Sequence, residues 1–386
     1  MKNKELSLYI HIPFCVRKCA YCDFLSFAAD DSLKKNYIDR LCREIEQAAA
    51  LYKDRKVISF FFGGGTPSVL SADQTERLMG LICEKYNLSP EAEISIEANP
   101  GTVDTGKLKS YRKAGINRLS IGCQSLEDKE LRLLGRIHTA DDFYRTFESA
   151  REAGFDNINA DLISALPGQT AADYERSLKK LTHIRPEHIS TYSLIIEEGT
   201  PFYESYHADA EVRDKGGRPQ YLPDEDEERR MLYLGREILS NAGYHQYEIS
   251  NYALEGYECR HNKVYWERGD YAGFGPGAAS CVDDVRWKNT EDFREYLSAA
   301  DEGLKRDLQI LAPEEQRSEA MFLGLRQMCG IDIKAYALRY GGAPADYYGE
   351  WIDKMTDEGL MSGADDKLAL TLKGQDVANY VMAGFV

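Results

Sequence analysis

Residues 9–24 read YIHIPFCVRKCAYCDF, an apolar run closed by Pro13 and Phe14 and followed by Cys15, Cys19 and Cys22 at C-x3-C-x2-C spacing. A loop of this length can wrap back on itself and turn three thiolates towards one inorganic centre, which neither a straight strand nor a helix allows. Thiolates are soft ligands that suit zinc or iron and sulfide. The number three decides between them. A structural zinc closes a tetrahedron with four protein ligands, and no fourth Cys or His follows at finger-like spacing. A four-iron cubane held by three cysteines keeps one iron free of protein, and an open coordination position is a place for chemistry. The bland alternative is three cysteines packed as small apolar side chains in a loop.

The whole chain allows this. At 386 residues and 43% hydrophobic content it has enough apolar surface for one large core and a smaller one. A formal charge of −16 argues against a broad electrostatic grip on nucleic acid. Nine cysteines form an odd count without a paired framework, and MKNKELSLYIHIPF has no apolar h-region ahead of Cys15, so a reducing cytoplasm is expected. No apolar run is long enough to span a bilayer, which leaves only peripheral membrane contact.

Period-2 and β-branched runs predict strands at Leu6 to Ile12, Val57 to Phe62, Glu93 to Ala98, Arg118 to Gly122, Asn157 to Ile163 and His188 to Leu194. Helical patterns alternate with them. Ser71 with Gln74, Thr139 with Asp142 and Thr170 with Asp173 read as capping boxes or near variants. Six βα units in succession imply a parallel sheet with right-handed crossovers, an open or closed α/β barrel whose reactive groups gather at the carboxyl ends of the strands.

The motifs fall at those ends. The cluster loop follows the first strand. After the second comes FFGGGTPS, where Gly63, Gly64 and Gly65 clear side chains from a turn that either admits a ligand to the backbone or is simply tight. SIEANPGT presents Glu97 just before Pro100, and a carboxylate there can accept two hydrogen bonds from a ribose diol or stand as a solvated charge. RLSIGCQS places Gln124 beyond Gly122, and LGRIH adds Arg136 and His138. An amide and a guanidinium can fix a charged ligand's orientation. In NINADLISALPGQT, Asp161 stands among Ile158, Leu162 and Ile163, a costly position for a carboxylate without a partner.

In order and spacing, from Tyr9 through PEHISTYSLIIEEGTPF, these blocks resemble the radical S-adenosylmethionine superfamily. There the open iron is chelated by the methionine amine and carboxylate, and electron transfer cleaves the sulfonium to a 5′-deoxyadenosyl radical. YIHIPFC followed by YCDF is similar, more narrowly, to the oxygen-independent coproporphyrinogen III oxidase group. The resemblance implies a [4Fe-4S] cluster on Cys15, Cys19 and Cys22. It implies an adenosylmethionine site lined by Tyr9, Gly64, Gly65, Thr66, Glu97, Gln124, Arg136 and Asp161, with Tyr21 meeting the adenine through its backbone.

Two departures separate the chain from the oxidases, which carry a further Cys two positions after the third and a longer amino-terminal arm. Here Asp23 and Phe24 follow Cys22, and fourteen residues precede Cys15. The CDF ending resembles a related branch, the oxidase-like heme chaperones of the HemW type. HNKVYW, with His261, Asn262, Tyr265 and Trp266, matches that branch's heme-associated HNxxYW motif. An imidazole can ligate heme iron and two aromatics can face a porphyrin, so the resemblance makes His261 the expected heme ligand. Cys259 competes for that role, and a packing histidine is the plainer alternative. Gly273 to Ser280, GFGPGAAS, reads as a glycine-rich turn at the barrel mouth.

Asp209 to Glu228 reads as a charged solvated loop leading into a helix from Asp224. After Glu314 three helical stretches precede LALTLKG, a strand pair or turn, and a last helix in DVANYVMAGFV, a pattern resembling a winged helix. The expected architecture is thus α/β: a partial (β/α)6 radical SAM barrel over residues 1–205, an α/β extension with the HNxxYW motif over 206–310, and a small winged-helix-like helical cap over 311–386. The expected function is binding [4Fe-4S], S-adenosylmethionine and heme, with heme passed to acceptor proteins and an electron donor serving the cluster. The alternative is oxidative decarboxylation of coproporphyrinogen III propionates to vinyl groups. A radical modifier of RNA would share the front half, but no appended basic module is found.

Overall fold

A computed structural model describes residues 4–300 and 303–386; Met1 to Asn3 of the amino-terminal stretch read above lie outside the described residues. Six strands pair in parallel and in chain order: β1 (Glu5–Ile12), β2 (Lys56–Gly64), β3 (Asn87–Ala98), β4 (Arg118–Gln124), β5 (Ile158–Ser164) and β6 (His188–Ser193). They coincide with the six strands expected from sequence. Alternation along each strand separates two faces. Leu8, Ile10, Phe60, Phe62, Ile94, Ile96, Leu119, Ile121 and Ile158 join the main apolar core. The intervening positions, Tyr9, His11, Glu97, Ser120, Gln124, Asn159, Asp161 and Ser190, are polar or aromatic and line the concave side. A parallel sheet buried on both faces can afford polar side chains inside only where they partner one another or a ligand.

The sheet is extended rather than closed. Beyond β6 stand β7 (His245–Glu248) and β8 (Asn251–Ala253), with β8 antiparallel to β6. On the other side β9 (Tyr271–Phe274) pairs in parallel with β1 and is followed by antiparallel β10 (Ala279–Val282), β11 (Val285–Asn289) and β12 (Lys305–Ile310). The order across the twelve strands is β12-β11-β10-β9-β1-β2-β3-β4-β5-β6-β8-β7. The protein is therefore α/β with an open barrel, and the segment after residue 205 supplies strands to both of its edges.

The helix starts read from sequence are present. Ser71 with Gln74, Thr139 with Asp142 and Thr170 with Asp173 each form a reciprocal capping box. Because the Thr139 hydroxyl is an acceptor for the Asp142 amide at 3.3 Å, Thr139→Ala should lower the unfolding free energy by about 1 kcal/mol in urea titration. An unchanged midpoint would mean that water replaces the cap at no cost.

Two segments differ from expectation. Asp209 to Glu228 is not one loop, since the helix Pro201–Asp214 runs into it, capped by the Thr200 hydroxyl with proline in its first turn. The loop after that helix folds back because the Asp209 carboxylate accepts the backbone N–H groups of Gln220, Tyr221 and Leu222. The helix Glu225–Asn241 then starts from Asp224 as read. GFGPGAAS is only partly a turn, because Gly273 and Phe274 belong to β9, and Ala279 and Ser280 to β10.

The carboxyl-terminal part has its own apolar cluster, including Met321, Leu325, Met355, Leu360, Val381 and Phe385. It contains helices Pro313–Gly324, Ile333–Tyr340 and Pro344–Asp357 and a three-stranded sheet of β13 (Ile331–Asp332), β14 (Met361–Ala364) and β15 (Lys367–Leu370), so LALTLKG supplies one strand of an antiparallel pair. This part docks on the segment carrying HNKVYW: buried Arg268 pairs with Glu319 at 3.0 Å, and Arg326 lies over the Trp266 ring at 4.4 Å.

Candidate functional site

The cysteine loop is pinned at its base. Cys15 N–H donates to the Phe27 carbonyl and Phe27 N–H to that of Pro13, both at 3.0 Å, while Ala20 N–H reaches the Leu134 carbonyl at 3.0 Å. Phe14 packs edge-on against Phe27 and Tyr37, and this aromatic anchor holds the loop over the carboxyl ends of the strands. Cys15, Cys19 and Cys22 are half-buried free thiols lining one cavity of about 340 Å³. Among the described residues no three His, Cys, Asp or Glu side chains converge as the ligands of a single metal ion would. A cubane takes each thiolate at a different iron, so its ligands stand apart.

The same cavity is lined by Tyr21, Gly64, Gly65, Thr66, Glu97, Gln124, Arg136 and Asp161. Eight of the nine residues expected around adenosylmethionine are thus brought to the cysteines. Thr66 joins the two sets, its hydroxyl lying 3.3 Å from the Cys15 sulfur and accepting from the Asn99 amide at 2.7 Å. Arg136 donates to the Asn99 side-chain oxygen at 2.6 Å and to the Gly122 carbonyl at 2.9 Å, and its other nitrogen points at the Cys19 sulfur at 3.5 Å. Gln124 ends β4 with φ of 65° at a register shift, which turns its side chain into the cavity beside Tyr192.

Glu97 and Asp161 share this space. The Glu97 carboxylate accepts the Gly64 N–H at 3.2 Å, yet burial, helped by the Asp161 charge, pushes its pKa up to about 8. Burial raises Asp161 too, against the Asn159 amide that donates to it at 2.7 Å. The unfolded chain would lose the Glu97 proton near its ordinary value of 4.5, so across the window from 4.5 to about 8 unfolding releases a proton and stability falls as pH rises. Glu97→Gln should flatten that decline in denaturant titrations of the apoprotein. An equally steep decline in the variant would place the titrating group elsewhere.

These residues fit a cluster with an adenosylmethionine chelate. Gly64 has φ of 112°, and a Cβ on Gly65 would stand 2.7 Å from the Phe14 carbonyl oxygen, so the turn that approaches the ligand accepts no side chain. Buried Ser26 Oγ and Asn251 Oδ1 line the cavity without a hydrogen-bond partner. A cationic ligand rich in hydrogen-bond donors answers the carboxylate pair.

Two expected residues lie elsewhere. Tyr9 lines a second cavity of about 450 Å³, together with His11, Leu25, Tyr265 and Tyr271. The two cavities abut, since Phe24, Gly64 and Glu97 line both. His261 reaches neither: it is 2% exposed, with Nδ1 at 2.9 Å from the Ser59 hydroxyl and Nε2 at 2.9 Å from the Tyr265 hydroxyl. Both ring nitrogens are engaged and burial lowers its pKa to about 3, so the imidazole is neutral and an iron would have to displace the Ser59 or Tyr265 hydroxyl to reach it. Cys259 is fully buried against Glu93 and offers no ligand. His138 is buried with Nε2 at 3.3 Å from the Cys123 carbonyl and lines a small adjoining cavity that shares Cys19, Thr66, Asn99 and Arg136 with the first.

Sequence reading missed Asn99, Ser120, Ser190, Tyr192 and Asn251, which line the first cavity, and connected Asn262, which lines it too, only with heme. For Ser120 on β4 and Ser190 and Tyr192 on β6 the signal was the alternation itself, which sets them in the inward register of Asn159 and Asp161 on β5.

Residues 9–181 match the radical SAM superfamily and residues 311–377 the HemN C-terminal domain. The chain is 36% identical over 383 residues to the heme chaperone HemW of Bacillus subtilis (strain 168), covering 98% of this chain and 99% of that one. To heme chaperone HemW of Lactococcus lactis subsp. lactis (strain IL1403) it is 34% identical, covering 100% of this chain and 98% of that one. The solved structure of coproporphyrinogen III oxidase from Escherichia coli, described as a radical SAM enzyme, superposes with a TM-score of 0.84 at 26% identity, over 99% of this chain and 90% of that chain. Full-length similarity to the chaperones, joined to a three-cysteine loop over an open parallel barrel, shows that the chain belongs to the heme chaperone HemW family of the radical SAM superfamily.

Proposed function

We propose that Cys15, Cys19 and Cys22 hold a [4Fe-4S] cluster, that the residues around the first cavity hold S-adenosylmethionine beside it, and that the protein binds heme and passes it to acceptor proteins. When bound, the cluster and adenosylmethionine supply one-electron chemistry at a sulfonium. The chain's own residues orient that ligand: Gly64 and Gly65 admit it to the backbone, Thr66 fixes the turn, and Glu97 accepts from hydroxyls. Arg136, Gln124 and Asp161 set its charge and direction, and Tyr21 closes the cluster side. An electron donor would dock at the cluster loop, where Val16, Arg17 and Lys18 are exposed.

The observation that favours the chaperone over the oxidase is Phe24. It is 62% exposed and faces both cavities at the position where the oxidases carry a further cysteine. An aromatic face there suits a flat apolar ring system. We assign residues 1–205 to the cofactor unit, 206–310 to the extension that completes the second cavity, and 311–386 to a docking cap. A cytoplasmic setting is favoured by nine free cysteines. Among the described residues no helix is long and apolar enough to cross a membrane. Nucleic acid is not a proposed partner of a chain with a formal charge of −16.

Hemin titrated into the purified protein should bind saturably at one per chain and move to an apo heme protein on mixing. Anaerobic incubation with dithionite, adenosylmethionine and coproporphyrinogen III should give no vinyl porphyrin beyond one equivalent. Product in turnover amounts would support the oxidase reading instead.

A further inference from the structure

The HNKVYW segment is fastened to the inward face of the barrel at several points. Its helix, Arg260–Trp266, starts at Cys259, whose side chain supplies no cap. The cap comes from the sheet: the buried Glu93 carboxylate on β3 accepts the N–H groups of Arg260 and His261, each at 3.1 Å. On β2 the Ser59 hydroxyl meets His261 Nδ1 at 2.9 Å, and the Phe61 ring stacks on the imidazole with centroids 5.1 Å apart. A helix of seven residues is marginal on its own in water, so these contacts with β2 and β3 set its position.

A second connection runs from the same helix to the residues proposed to hold adenosylmethionine. Cys259 N–H donates to the Tyr247 hydroxyl oxygen at 3.3 Å. That hydroxyl lies 2.9 Å from His188 Nε2, and His188 Nδ1 lies 2.7 Å from the Asn159 side-chain oxygen. Asn159 in turn donates to Asp161 and to the Ser120 hydroxyl, both at 2.7 Å. The directions follow from one another. With its N–H groups given to Asp161 and Ser120, Asn159 turns an acceptor to His188, so Nδ1 carries the ring proton. Burial keeps that imidazole neutral, which leaves Nε2 to accept from Tyr247. Asp161 therefore takes its orientation from a buried chain of residues that ends on the HNKVYW helix.

The helix also sends a side chain of its own to the same place. Asn262 lines the first cavity with Ser120, Asp161 and Ser190, and among the described residues its side-chain amide has no hydrogen bond to the protein. An amide left open to a cavity offers a ligand one acceptor and two N–H donors. We infer that HNKVYW is a positioning segment of the adenosylmethionine cavity. Asn262 hydrogen-bonds the ligand there, and Tyr247, His188 and Asn159 are positioning residues that tie the same helix to the orientation of Asp161. His261 anchors the segment through Ser59.

This inference rests on the proposed adenosylmethionine site, and its test keeps the two apart. Labelled adenosylmethionine is dialysed against the cluster-loaded full chain, reduced samples are examined by electron paramagnetic resonance, and hemin is titrated into the same proteins. Asn262→Ala should raise the dissociation constant for adenosylmethionine roughly 10-fold and leave hemin affinity unchanged. Tyr247→Phe, which breaks the chain at its hydroxyl, should raise that constant several-fold. Its cluster signal at saturating adenosylmethionine should be broader than the wild-type one, because Asp161 no longer has a single orientation. Thr139→Ala loses a hydrogen bond of similar strength away from the cavity and should match wild type in both readings, which separates positioning from a loss of stability. No adenosylmethionine binding by wild type would defeat the reading of the cavity itself. With wild type binding, unchanged affinity in Asn262→Ala, or a Tyr247→Phe variant that matches Thr139→Ala in affinity and signal, would overturn the role given to HNKVYW. Variants that lose hemin while holding adenosylmethionine as wild type does would overturn it too.

Discussion

Replacing Cys15, Cys19 and Cys22 together by alanine should leave a folded protein that retains essentially no iron or sulfide after anaerobic reconstitution, where wild type takes up about four of each. The effect is large because the loop is held by its backbone and its aromatics, not by the thiols. The Pro13 to Phe27 pairing and the packing of Phe14 against Phe27 and Tyr37 persist without sulfur. Single replacements should differ in kind. Cys15→Ala also removes the contact with Thr66, and Cys19→Ala the contact with Arg136, so each loosens the adenosylmethionine side as well. Iron and sulfide assays with circular dichroism check this. A triple variant that still bound a full complement of iron would move the cluster elsewhere.

A side chain on the glycine turn should weaken adenosylmethionine binding sharply while leaving the cluster assembled. Gly64→Ala places a residue with a Cβ at φ of 112°, a conformation costing of order 1–3 kcal/mol outside glycine, and directs that Cβ at His11. Gly65→Ala meets backbone instead, the Phe14 and Ile12 carbonyl oxygens at 2.7 and 3.0 Å, so the cluster loop or β2 has to shift. Loss of affinity on the order of 100-fold is expected from a displaced backbone at a close-contact site. Gly80→Ala is the control: it sits in the helix Ala72–Lys85 with nothing within 4 Å of its added Cβ, and should be neutral or stabilising by up to about 1 kcal/mol. Equilibrium dialysis against labelled adenosylmethionine reads all three. Wild-type affinity in Gly65→Ala would mean the ligand does not approach this turn.

Much of this architecture is written locally in the chain. Six strands and three capping boxes follow from patterns within a dozen residues, and the cysteine loop follows from spacing alone. What could not be read depends on distant partners. HNKVYW does not show that the His261 ring is held by Ser59, 202 positions away. Tyr9 and His11 share the inward register of β1 with the cluster-side residues, but the strand carries them below the cysteines and into the neighbouring cavity, whose far wall comes from Tyr265 and Tyr271. Asp209 reads as a solvated charge, and its role as acceptor for three amides appears only when residues 220–222 fold back on it. Which outer strands would flank the barrel was likewise hidden, because β9 pairs with β1 across more than 260 residues.

The inward polar alternation also explains why the first cavity is costly without its ligand. Glu97 and Asp161 are both shifted towards their neutral forms, and Asn251 and Ser26 hold unpartnered oxygens there. Adenosylmethionine held there would add a sulfonium, an amine and ribose hydroxyls to the few donors these carboxylates already have.

The most direct measurement is electron paramagnetic resonance of the anaerobically reconstituted, dithionite-reduced protein, recorded before and after adding S-adenosylmethionine. A [4Fe-4S]⁺ signal whose shape changes on addition is expected, with both the signal and its response absent from the triple alanine variant. A protein that binds a lone zinc, or a cluster whose spectrum ignores adenosylmethionine, would contradict it.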